Sequence, residues 1–412
     1  MISISEAQTI VERHRPAPTR TEVPLADAGG MRLAEAATAS EPMPAFDNSA
    51  MDGYAVALPD RAPDEACTLR VVGESRAGAP FDGTVQPGEA VLISTGAAVP
   101  PGTDRVIPVE DTDGGEEQVR LHDTAAPDAN VRFAGEEVTA GSVIAEQGEP
   151  TTPPLLGRLA SLGVAQVPVF APPTVALLTT GSELVGVEAD PHPGQIRDAN
   201  RYVLRALLIE DGAVPERVES VPDRWADTAE AIGRAAEAAD IVLVTGGVSV
   251  GPHDHVKAAA EEVGFERRFW KVRQKPGKPL YFATRDDTLL FGLPGNPFSA
   301  TISTVVYVAP LLRRCLGHPR PEGRQMPGRL AAPYERLAPS RAQFVVVRIE
   351  GVEDGTARLR GVPKQGSHML TGLHEGDGFI RVPADRHRLD AGEQFEVTRF
   401  PWEPPHADAM TG

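Results

Sequence analysis

The run Asp240-Ile-Val-Leu-Val-Thr245 leads directly into Gly246-Gly-Val-Ser-Val-Gly251, and Leu289-Leu-Phe-Gly-Leu-Pro-Gly-Asn-Pro297 repeats the arrangement further along the chain. Each run has the length and composition of a buried strand, and each ends in a glycine-rich turn that precedes a helical pattern. In α/β proteins, such turns bring backbone N–H groups and a helix N-terminus up to a phosphate. The two stretches therefore predict a parallel α/β sheet with an anion-binding edge.

The segment between the two turns is strongly basic, although the whole chain has a formal net charge of −18. Within this segment, the twelve residues 267–278 include six cations: Arg267, Arg268, Lys271, Arg273, Lys275 and Lys278. The chain has 40 Lys and Arg residues but only five lysines, and the other two are Lys257 and Lys364. Because Lys is a compact point charge whereas Arg is planar and broad, three clustered lysines indicate an anion site that needs lysine. The alternative is a chance cluster on a solvated strand.

Composition indicates a soluble, cytoplasmic protein of several domains. The chain has 412 residues, of which 41% are hydrophobic and 24% charged. It has no apolar run long enough for a membrane span and no signal-peptide pattern at its N-terminus. Cys67 and Cys315 lack CxxC spacing, which predicts buried thiols and no disulfide. The acidic charge argues against nucleic acid as a partner, and a salt-rich cytoplasm or codon bias explains the scarcity of lysine equally well.

The predicted fold class is multi-domain α/β plus β, with a doubly wound, mostly parallel central α/β domain covered on both faces. The predicted domains are a mixed helical and linker domain (1–45 and 140–172), a β-rich domain (46–139), the α/β domain (173–320), a C-terminal β-domain (321–405) and a disordered tail (406–412).

Within 173–320, strands and helices are predicted to alternate. The predicted strands are Val175–Thr179, Val214–Val221, Ile241–Thr245, Phe269–Arg273, Leu280–Ala283 and Thr288–Phe291. The predicted helices are Arg201–Glu210, Trp225–Ala238, His255–Val263 and Phe298–Leu316. Elsewhere, the pattern predicts a first helix capped by Ser5, a helix at Leu33–Ala39 and a turn at Asp52-Gly53, and Asn200 is the expected cap of Arg201–Glu210.

Polar groups follow the predicted strands of the α/β domain at their carboxyl ends. Glu183 ends Thr180-Gly-Ser-Glu183, Asp223 follows the next strand, and Asp254 follows the first glycine turn. Because these strand ends meet at one sheet edge, we expect the carboxylates to converge. Carboxylates beside bound phosphate predict Mg²⁺. The candidate substrate-binding residues of these turns and of the lysine segment are Gly181, Ser182, Gly246, Gly247, Ser249, Gly251, Lys278, Pro294, Gly295 and Asn296.

Each of these residues also has a purely structural interpretation. Asp223 and Asp254 could cap the helices that follow them, and Glu183 could be a surface charge of a loop. His253 and His255 are spaced like a metal-binding pair, but a solvated loop is the simpler interpretation. The chain contains no HExxH or Walker sequence, which excludes the corresponding protease and P-loop classes.

Seven stretches occur in a characteristic order: Pro44–Val56, Thr180–Glu183, Gly194–Arg201, Gly246–Asp254, Lys275–Lys278, Gly292–Pro297 and Gln365–His368. Together they resemble the MoeA family, the molybdopterin molybdenumtransferases, which are similar to the E-domain of gephyrin. The resemblance extends over nearly the whole chain, so it is far more specific than a single glycine turn.

The resemblance implies insertion of molybdenum into adenylyl-molybdopterin. Molybdate is bound, the pyrophosphate link is hydrolysed with Mg²⁺, and AMP leaves as the dithiolene takes the metal. The resemblance also implies an elongated homodimer of four-domain subunits, with each active site shared between the α/β domain of one subunit and the N-terminal β-domain of the other. Molybdopterin adenylyltransferase and molybdoenzyme-maturation proteins are the further partners it suggests.

Motif matches then give individual residues a role. The implied catalytic residues are Asp52, Thr95, Glu183, Asp223, Asp254, Lys271 and Lys275, with Asp52 and Thr95 supplied by the other subunit. Ser367 and Arg341 are implied to bind substrate, and the implied metal ligands are Glu183, Asp223 and Asp254. The roles of Asp52, Thr95, Ser367 and Arg341 rest on the resemblance alone.

The chain departs from the family pattern near two of these motifs. Phe133 and Ala134 stand where basic residues are common, Glu137 replaces the usual Asp, and Ser182 replaces the commoner Asp beside Glu183. Three alternative functions stay open. They are a non-catalytic molybdopterin-binding scaffold, insertion of tungsten in place of molybdenum, and the related adenylyltransferase. Tungsten stays open because tungstate has nearly the same size and charge as molybdate. The two β-domains oppose the last of the three, because that enzyme resembles the α/β domain alone.

Overall fold

A computed structural model describes residues 1–58, 67–249, 254–335 and 340–402. The chain forms two compact units, one made of Met1–Thr21 with Phe170–Gly412 and the other of Glu22–Val169. Each unit combines several of the predicted domains, so the four domain boundaries stay predictions. The tail predicted at 406–412 lies outside the described residues.

The first unit is built on a six-stranded sheet with four parallel strands. Leu177, Leu243 and Phe291 are neighbours in register and pack on one face, while Val242 and Leu290 pack on the other. Burial on both faces explains why these strands are continuous apolar runs. The strands, in spatial order, are Val214–Val221, Thr174–Thr180, Ile241–Thr245, Thr288–Leu293, Tyr281–Arg285 and Glu266–Trp270, the last two being antiparallel to their neighbours.

Helices cover both faces of this sheet, as the sequence predicts. Leu204 and Leu208 bring one helix to the first face, and Ala231, Ala235 and Val256 bring two others to the second. No helix within the described residues is long and apolar enough to cross a membrane. The helices are Ile4–Arg13, Asn200–Glu210, Trp225–Ala238, Val256–Glu262, Pro297–Ser303 and Ala309–Cys315, with a π-helical turn at Thr304–Val308 joining the last two.

A second sheet of this unit closes on itself. Its strands follow the order Ala342–Glu353, Thr356–Gly361, Gln325–Leu330, Gln394–Arg399 and Gly378–Val382, and the last pairs with the first. The short strand Gln274–Lys275 pairs in parallel with Ala342 and Gln343, at the start of the strand Ala342–Glu353. This pairing ties the lysine segment to the C-terminal β-region. The unit also contains the helix Leu370–His374 and the pairs Leu184–Val185 with Ile196–Arg197 and Tyr334–Glu335 with Arg388–Leu389.

The unit Glu22–Val169 is mostly β. Its five-stranded sheet has the order Arg105–Pro108, Gly53–Val56, Glu89–Ile93, Cys67–Ser75 and Gln118–Leu121. The carboxylates at 110–117 are exposed. Helix Pro153–Ser161 begins at the cap Thr152. The short pairs are Ala37–Thr38 with Val143–Ala145, Asn48–Ser49 with Val131–Arg132, and Arg20–Pro24 with Gln166–Phe170.

Three local predictions were wrong, two of them because of partners that are distant in the sequence. The segment predicted as the helix Leu33–Ala39 is extended, because the fully buried Leu33 forms a bridge with Val169. Gly53 begins a strand instead of a turn, and a Cβ there would lie 1.9 Å from the carbonyl oxygen of Ile107. Cys315 is buried as predicted, but Cys67 is half-buried.

A fourth correction concerns the basic segment. The strand predicted at Phe269–Arg273 is Glu266–Trp270. Lys271 follows it with φ +69°, in the left-handed region that a side chain with a Cβ rarely adopts, so the strand ends there.

The first helix is capped by Ser3, two residues before the predicted Ser5. The Ser3 hydroxyl accepts from the Glu6 N–H at 3.1 Å, and the Glu6 carboxylate accepts from the Ser3 N–H at 2.7 Å, which forms a capping box. We expect Ser3→Ala to destabilise the helix by about 1 kcal/mol, measured by hydrogen exchange of the helix amides. Ser5→Ala is the matched control, and equal effects of both substitutions would contradict this cap.

Candidate active site

A cavity of about 650 Å³ lies at the carboxyl edge of the six-stranded sheet. Its volume is in the range of sites for small molecules. Three residues of the cavity wall were not predicted as site residues: Asp198, Asn200 and His368. The structure brings the following predicted site residues together on this wall: Gly181, Glu183, Asp223, Gly246, Gly247, Ser249, Asp254, Pro294, Gly295 and Asn296.

The turn after the strand Thr174–Thr180 places Glu183 on the cavity wall. The Leu184 N–H donates to the Gly181 carbonyl at 3.1 Å, which closes a tight turn. A Cβ on Gly181 would lie 2.7 Å from a Glu183 carboxylate oxygen, so the carboxylate rests directly against the glycine. Ser182 is exposed and is not among the described wall residues.

Asp223 lies on the cavity wall and has a buried carboxylate oxygen. Its Oδ1 is buried and has no hydrogen-bond partner in the described part of the chain. The following helix has Arg224 at its N-cap position and no side-chain cap, so the structure gives no support to Asp223 as a helix cap. A buried carboxylate oxygen without a partner is costly unless a ligand satisfies it, and hard cations such as Mg²⁺ prefer such oxygens. Asp223 therefore fits the predicted metal.

The first glycine turn requires glycine at two consecutive positions. Gly246 has φ +96°, and a Cβ on it would lie 2.1 Å from the Thr180 carbonyl oxygen. Gly247 has φ +60°, and its Cβ would lie 2.9 Å from Val256. The turn thus passes close to the neighbouring strand end and to the next helix. Asp254 lies on the cavity wall before that helix, whereas Gly251 and His253 lie outside the described residues.

The second glycine turn is tied to the first by side chains. The Asn200 amide donates to Thr245 Oγ1 at 2.9 Å and to the Gly295 carbonyl at 2.7 Å. Thr245 Oγ1 in turn donates to the Pro294 carbonyl at 3.1 Å. Asn200 was predicted to cap its helix, but it is the first residue of that helix and makes no cap. Its side chain instead holds the two turns together.

Ser367 of the C-terminal β-region contacts Asn296, a residue of the same wall. The Asn296 amide donates to Ser367 Oγ at 3.0 Å, and the Phe298 N–H donates to the Ser367 carbonyl at 3.1 Å. This proximity was expected from the family resemblance alone. The neighbouring His368 and Leu370 line the cavity directly.

The three clustered lysines lie in the adjoining segment. Lys271 and Lys275 are half-buried and Lys278 is exposed, and none of them is among the described wall residues of the cavity. The Lys271 ammonium lies 3.8 Å from the centroid of the Trp270 ring. Arg341 donates from Nη1 to the Gln274 carbonyl at 3.1 Å, so it contacts the backbone immediately before Lys275.

Asp52 and Thr95 lie in the other compact unit and contact one another. Thr95 donates to Asp52 Oδ1 from its N–H at 2.7 Å and from its hydroxyl at 3.1 Å. These hydrogen bonds lower the pKa of the Asp52 carboxyl, the backbone N–H being the larger cause. The pair is therefore a preformed, negatively charged group.

The structure does not show a complete metal cage. Within the described residues, no three His, Cys, Asp or Glu side chains are gathered closely enough to hold a metal ion together. Glu183, Asp223 and Asp254 share the cavity wall without forming such a cluster. A metal held here would need further ligands from water or substrate.

Lys257 and Trp270 were missed as site residues. Lys257 Nζ donates to the Ser249 carbonyl, and Trp270 Nε1 donates to the Val248 carbonyl at 3.0 Å, so both contact the first glycine turn. Burial lowers the pKa of Lys257, and the charges of Lys271 and Arg267 lower it further while Asp254 opposes them. The scarcity of lysine was the available signal, since Lys257 is one of only five in the chain.

Comparison with known proteins agrees with this arrangement. Family models described as the MoeA N-terminal region (domain I and II), a probable molybdopterin binding domain and the MoeA C-terminal region (domain IV) match residues 2–163, 176–314 and 328–400. A molybdopterin molybdenumtransferase of Haemophilus influenzae is 36% identical over 402 residues, which are 97% of this chain and 99% of that protein. The chain belongs to the MoeA family.

Other MoeA-family proteins match over the same length. Molybdopterin molybdenumtransferase 2 of Mycobacterium tuberculosis is 35% identical over 406 residues, 96% of this chain and 99% of that protein. The crystal structure of a molybdopterin biosynthesis MoeA protein from Pyrococcus horikosii superposes with a TM-score of 0.82 at 29% identity, covering 97% of this chain and 99% of that one. The predicted family, the fold class and the expectation of an enzyme are confirmed.

Proposed function

We propose that this MoeA-family enzyme inserts molybdenum from molybdate into adenylyl-molybdopterin and releases AMP. The names of its relatives support transfer of molybdenum to molybdopterin. The two glycine turns support a substrate with a phosphate link, because such turns let a phosphate approach the backbone. The observation that carries the proposal is the buried Oδ1 of Asp223, which lacks a partner within the described chain and lies on the same wall as both turns.

Glu183, Asp223 and Asp254 are the residues that would hold Mg²⁺. Mg²⁺ is usually bound through one or two carboxylates, with water and substrate phosphates completing its shell, so a wall without a full cage suits it. When bound, the ion would neutralise phosphate charge at the link that is cleaved. The chain itself would orient the carboxylates and hold the link at the glycine turns.

A homodimer with shared sites is part of the same proposal. Asp52 and Thr95 form a charged, hydrogen-bonded pair in the unit Glu22–Val169, whereas the cavity belongs entirely to the other unit. Isologous pairing of two copies would let each subunit complete the cavity of its partner. An adenylyltransferase would supply the substrate, and molybdoenzyme-maturation proteins would accept the product.

Release of AMP from adenylyl-molybdopterin tests the proposal directly. We expect release in the presence of Mg²⁺ and molybdate and only background release without an oxyanion. Equal release with tungstate would show that the site does not distinguish the two oxyanions. Background release with molybdate, tungstate and neither would contradict the proposed reaction.

Replacing Lys275 with Arg is expected to reduce kcat/KM for AMP release by about tenfold, although the charge is kept. Lys275 is half-buried, and its backbone pairs with Gln343 beside the fully buried Gln274. The planar guanidinium is larger and differently hydrated than the ammonium, so it should misplace the charge. Lys364→Arg, at an exposed lysine outside this segment, is the control. Wild-type kinetics of Lys275→Arg would mean that a compact charge is not required.

A further inference from the structure

Two side chains hold consecutive carbonyl groups of the first glycine turn. Trp270 Nε1 donates to the Val248 carbonyl at 3.0 Å, and Lys257 Nζ donates to the Ser249 carbonyl. Trp270 ends an edge strand of the central sheet, and Lys257 belongs to the helix that follows the turn. Two separate elements thus fix the backbone of one short segment.

The same two side chains contact one another. The Lys257 ammonium lies 4.0 Å from the centroid of the Trp270 ring, and the Lys271 ammonium lies 3.8 Å from it. A cation over an indole ring is attracted by the negative face of the ring. Lys257, Trp270 and Lys271 therefore form one connected group, which we call the Trp270 cluster.

The hydrogen bond from Trp270 determines where the next amide of the turn points. In a planar trans peptide, the C=O of one residue and the N–H of the next point in opposite directions. Because the Val248 carbonyl faces Trp270, the Ser249 N–H faces away from the Trp270 cluster. Ser249 itself lies on the cavity wall, where Asp223 and both glycine turns are found. An amide held in this way is a donor for an anion in the cavity.

The charge of the Trp270 cluster also favours an anion. Lys257 and Lys271 share one ring, and Arg267 is close enough to influence Lys257. Bringing like charges together is unfavourable by itself, and the attraction of both ammonium groups to the negative face of the ring offsets part of that cost. The cluster occurs in a chain of net charge −18, whose overall field repels anions, so attraction must be local.

We propose that Lys257 is a positioning residue of the phosphate-binding turn. By bridging the Ser249 carbonyl to the Trp270 ring, it holds the turn so that the Ser249 amide faces the pyrophosphate link of the nucleotide substrate. Its role is thus to set substrate affinity through the backbone. This inference rests on the proposed function, since it names a residue that prepares the same cavity for the same substrate.

The test compares Lys257→Met with Lys257→Arg in the full-length protein. Met keeps a linear apolar stem over Trp270 but cannot donate to the Ser249 carbonyl. Arg keeps the charge, the donor and the ability to stack on the ring. We expect Lys257→Met to raise KM for adenylyl-molybdopterin about tenfold or more with little change in kcat, as loss of a charged hydrogen bond implies. Lys257→Arg should restore most of the affinity.

A second variant tests the other half of the bridge. Trp270→Phe keeps an aromatic ring for the two lysines but removes the donor to the Val248 carbonyl. KM for adenylyl-molybdopterin should therefore rise in this variant too. Affinity for AMP, measured by titration calorimetry, should weaken in Lys257→Met and in Trp270→Phe. Lys364→Met is the matched control for loss of one positive charge.

The outcomes separate this inference from the proposed function. If the wild-type protein releases no AMP, the proposed reaction fails, and the inference falls with it. If the wild-type protein is active but Lys257→Met retains its KM and its AMP affinity, Lys257 does not position the turn. If Met is tolerated and Arg is not, Lys257 only packs against Trp270, which also overturns the inference. Should Lys257→Met fail to fold, the other two variants still test the inference. We expect KM for adenylyl-molybdopterin to stay near the wild-type value in Lys257→Arg and to rise in Trp270→Phe.

Discussion

Replacing Asp223 with Asn is expected to reduce molybdate-dependent AMP release by about 100-fold or more, the range found when one preorganised electrostatic contact is removed from an active site. Asn has the same shape but carries no charge, so it is a much poorer ligand for Mg²⁺. Because the buried Oδ1 has no partner within the described residues, the substitution breaks no hydrogen bond of that oxygen within them. Binding of adenylyl-molybdopterin should therefore change by less than about threefold.

Asp227→Asn is the matched control for this substitution. Asp227 lies in the first turn of the helix that follows Asp223 and forms a surface ion pair with Arg224 at 2.5 Å, with 74% of the Arg224 side chain exposed. Such a pair contributes little to stability, and activity should stay at the wild-type level. Wild-type turnover in Asp223→Asn would contradict the proposed metal-binding role of Asp223. A loss of about 1 kcal/mol in helix stability in Asp223→Ala would then make it a helix cap after all.

Mixing two inactive variants is expected to recover activity. Asp52→Ala and Asp254→Ala should each abolish AMP release, because we propose that every site uses Asp254 of one subunit and Asp52 of the other. After exchange of subunits in equal amounts, random pairing makes half of the dimers mixed, and each mixed dimer has one intact site. The mixture should then show about one quarter of wild-type activity.

The same experiment distinguishes a site confined to one chain. In that case every site carries one of the two substitutions, and no activity returns however completely the subunits exchange. Exchange itself is followed with two differently tagged copies, so that a failure to mix is recognised. Complete exchange without recovered activity would contradict the shared site.

The inner strands of the central sheet were predictable from the sequence because they are buried on both faces. Ile241–Thr245 and Trp225–Ala238 have the predicted bounds, since a continuous apolar run and helical periodicity both depend on local residue order. The edge strand Val214–Val221 also has its predicted bounds. The convergence of Glu183, Asp223, Asp254 and the glycine turns follows from the rule that parallel strands present their carboxyl ends at one edge. These features needed no knowledge of distant contacts.

The remaining features depend on partners far away in the sequence. Leu33 lies in an extended segment because Val169 pairs with it, and the side chain of Asn200 bonds to Gly295 instead of capping its own helix. The contact of Ser367 with Asn296 joins two segments that no local pattern connects, so family resemblance was the only signal. The scarcity of lysine singled out Lys257 in the sequence, but its hydrogen bond to the Ser249 carbonyl depends on the backbone conformation of the first glycine turn.

A crystal structure of the Asp223→Asn variant with adenylyl-molybdopterin tests the location of the active site most directly. We expect the pyrophosphate link within hydrogen-bonding distance of the glycine turn at Gly246–Ser249, in the cavity that Asp223 lines. A second cavity of similar size, about 640 Å³, lies between the first helix and the C-terminal sheet and includes Gln8, Glu12 and Phe344. Substrate bound there, with the cavity at Gly246–Ser249 empty, would contradict the assignment of the active site.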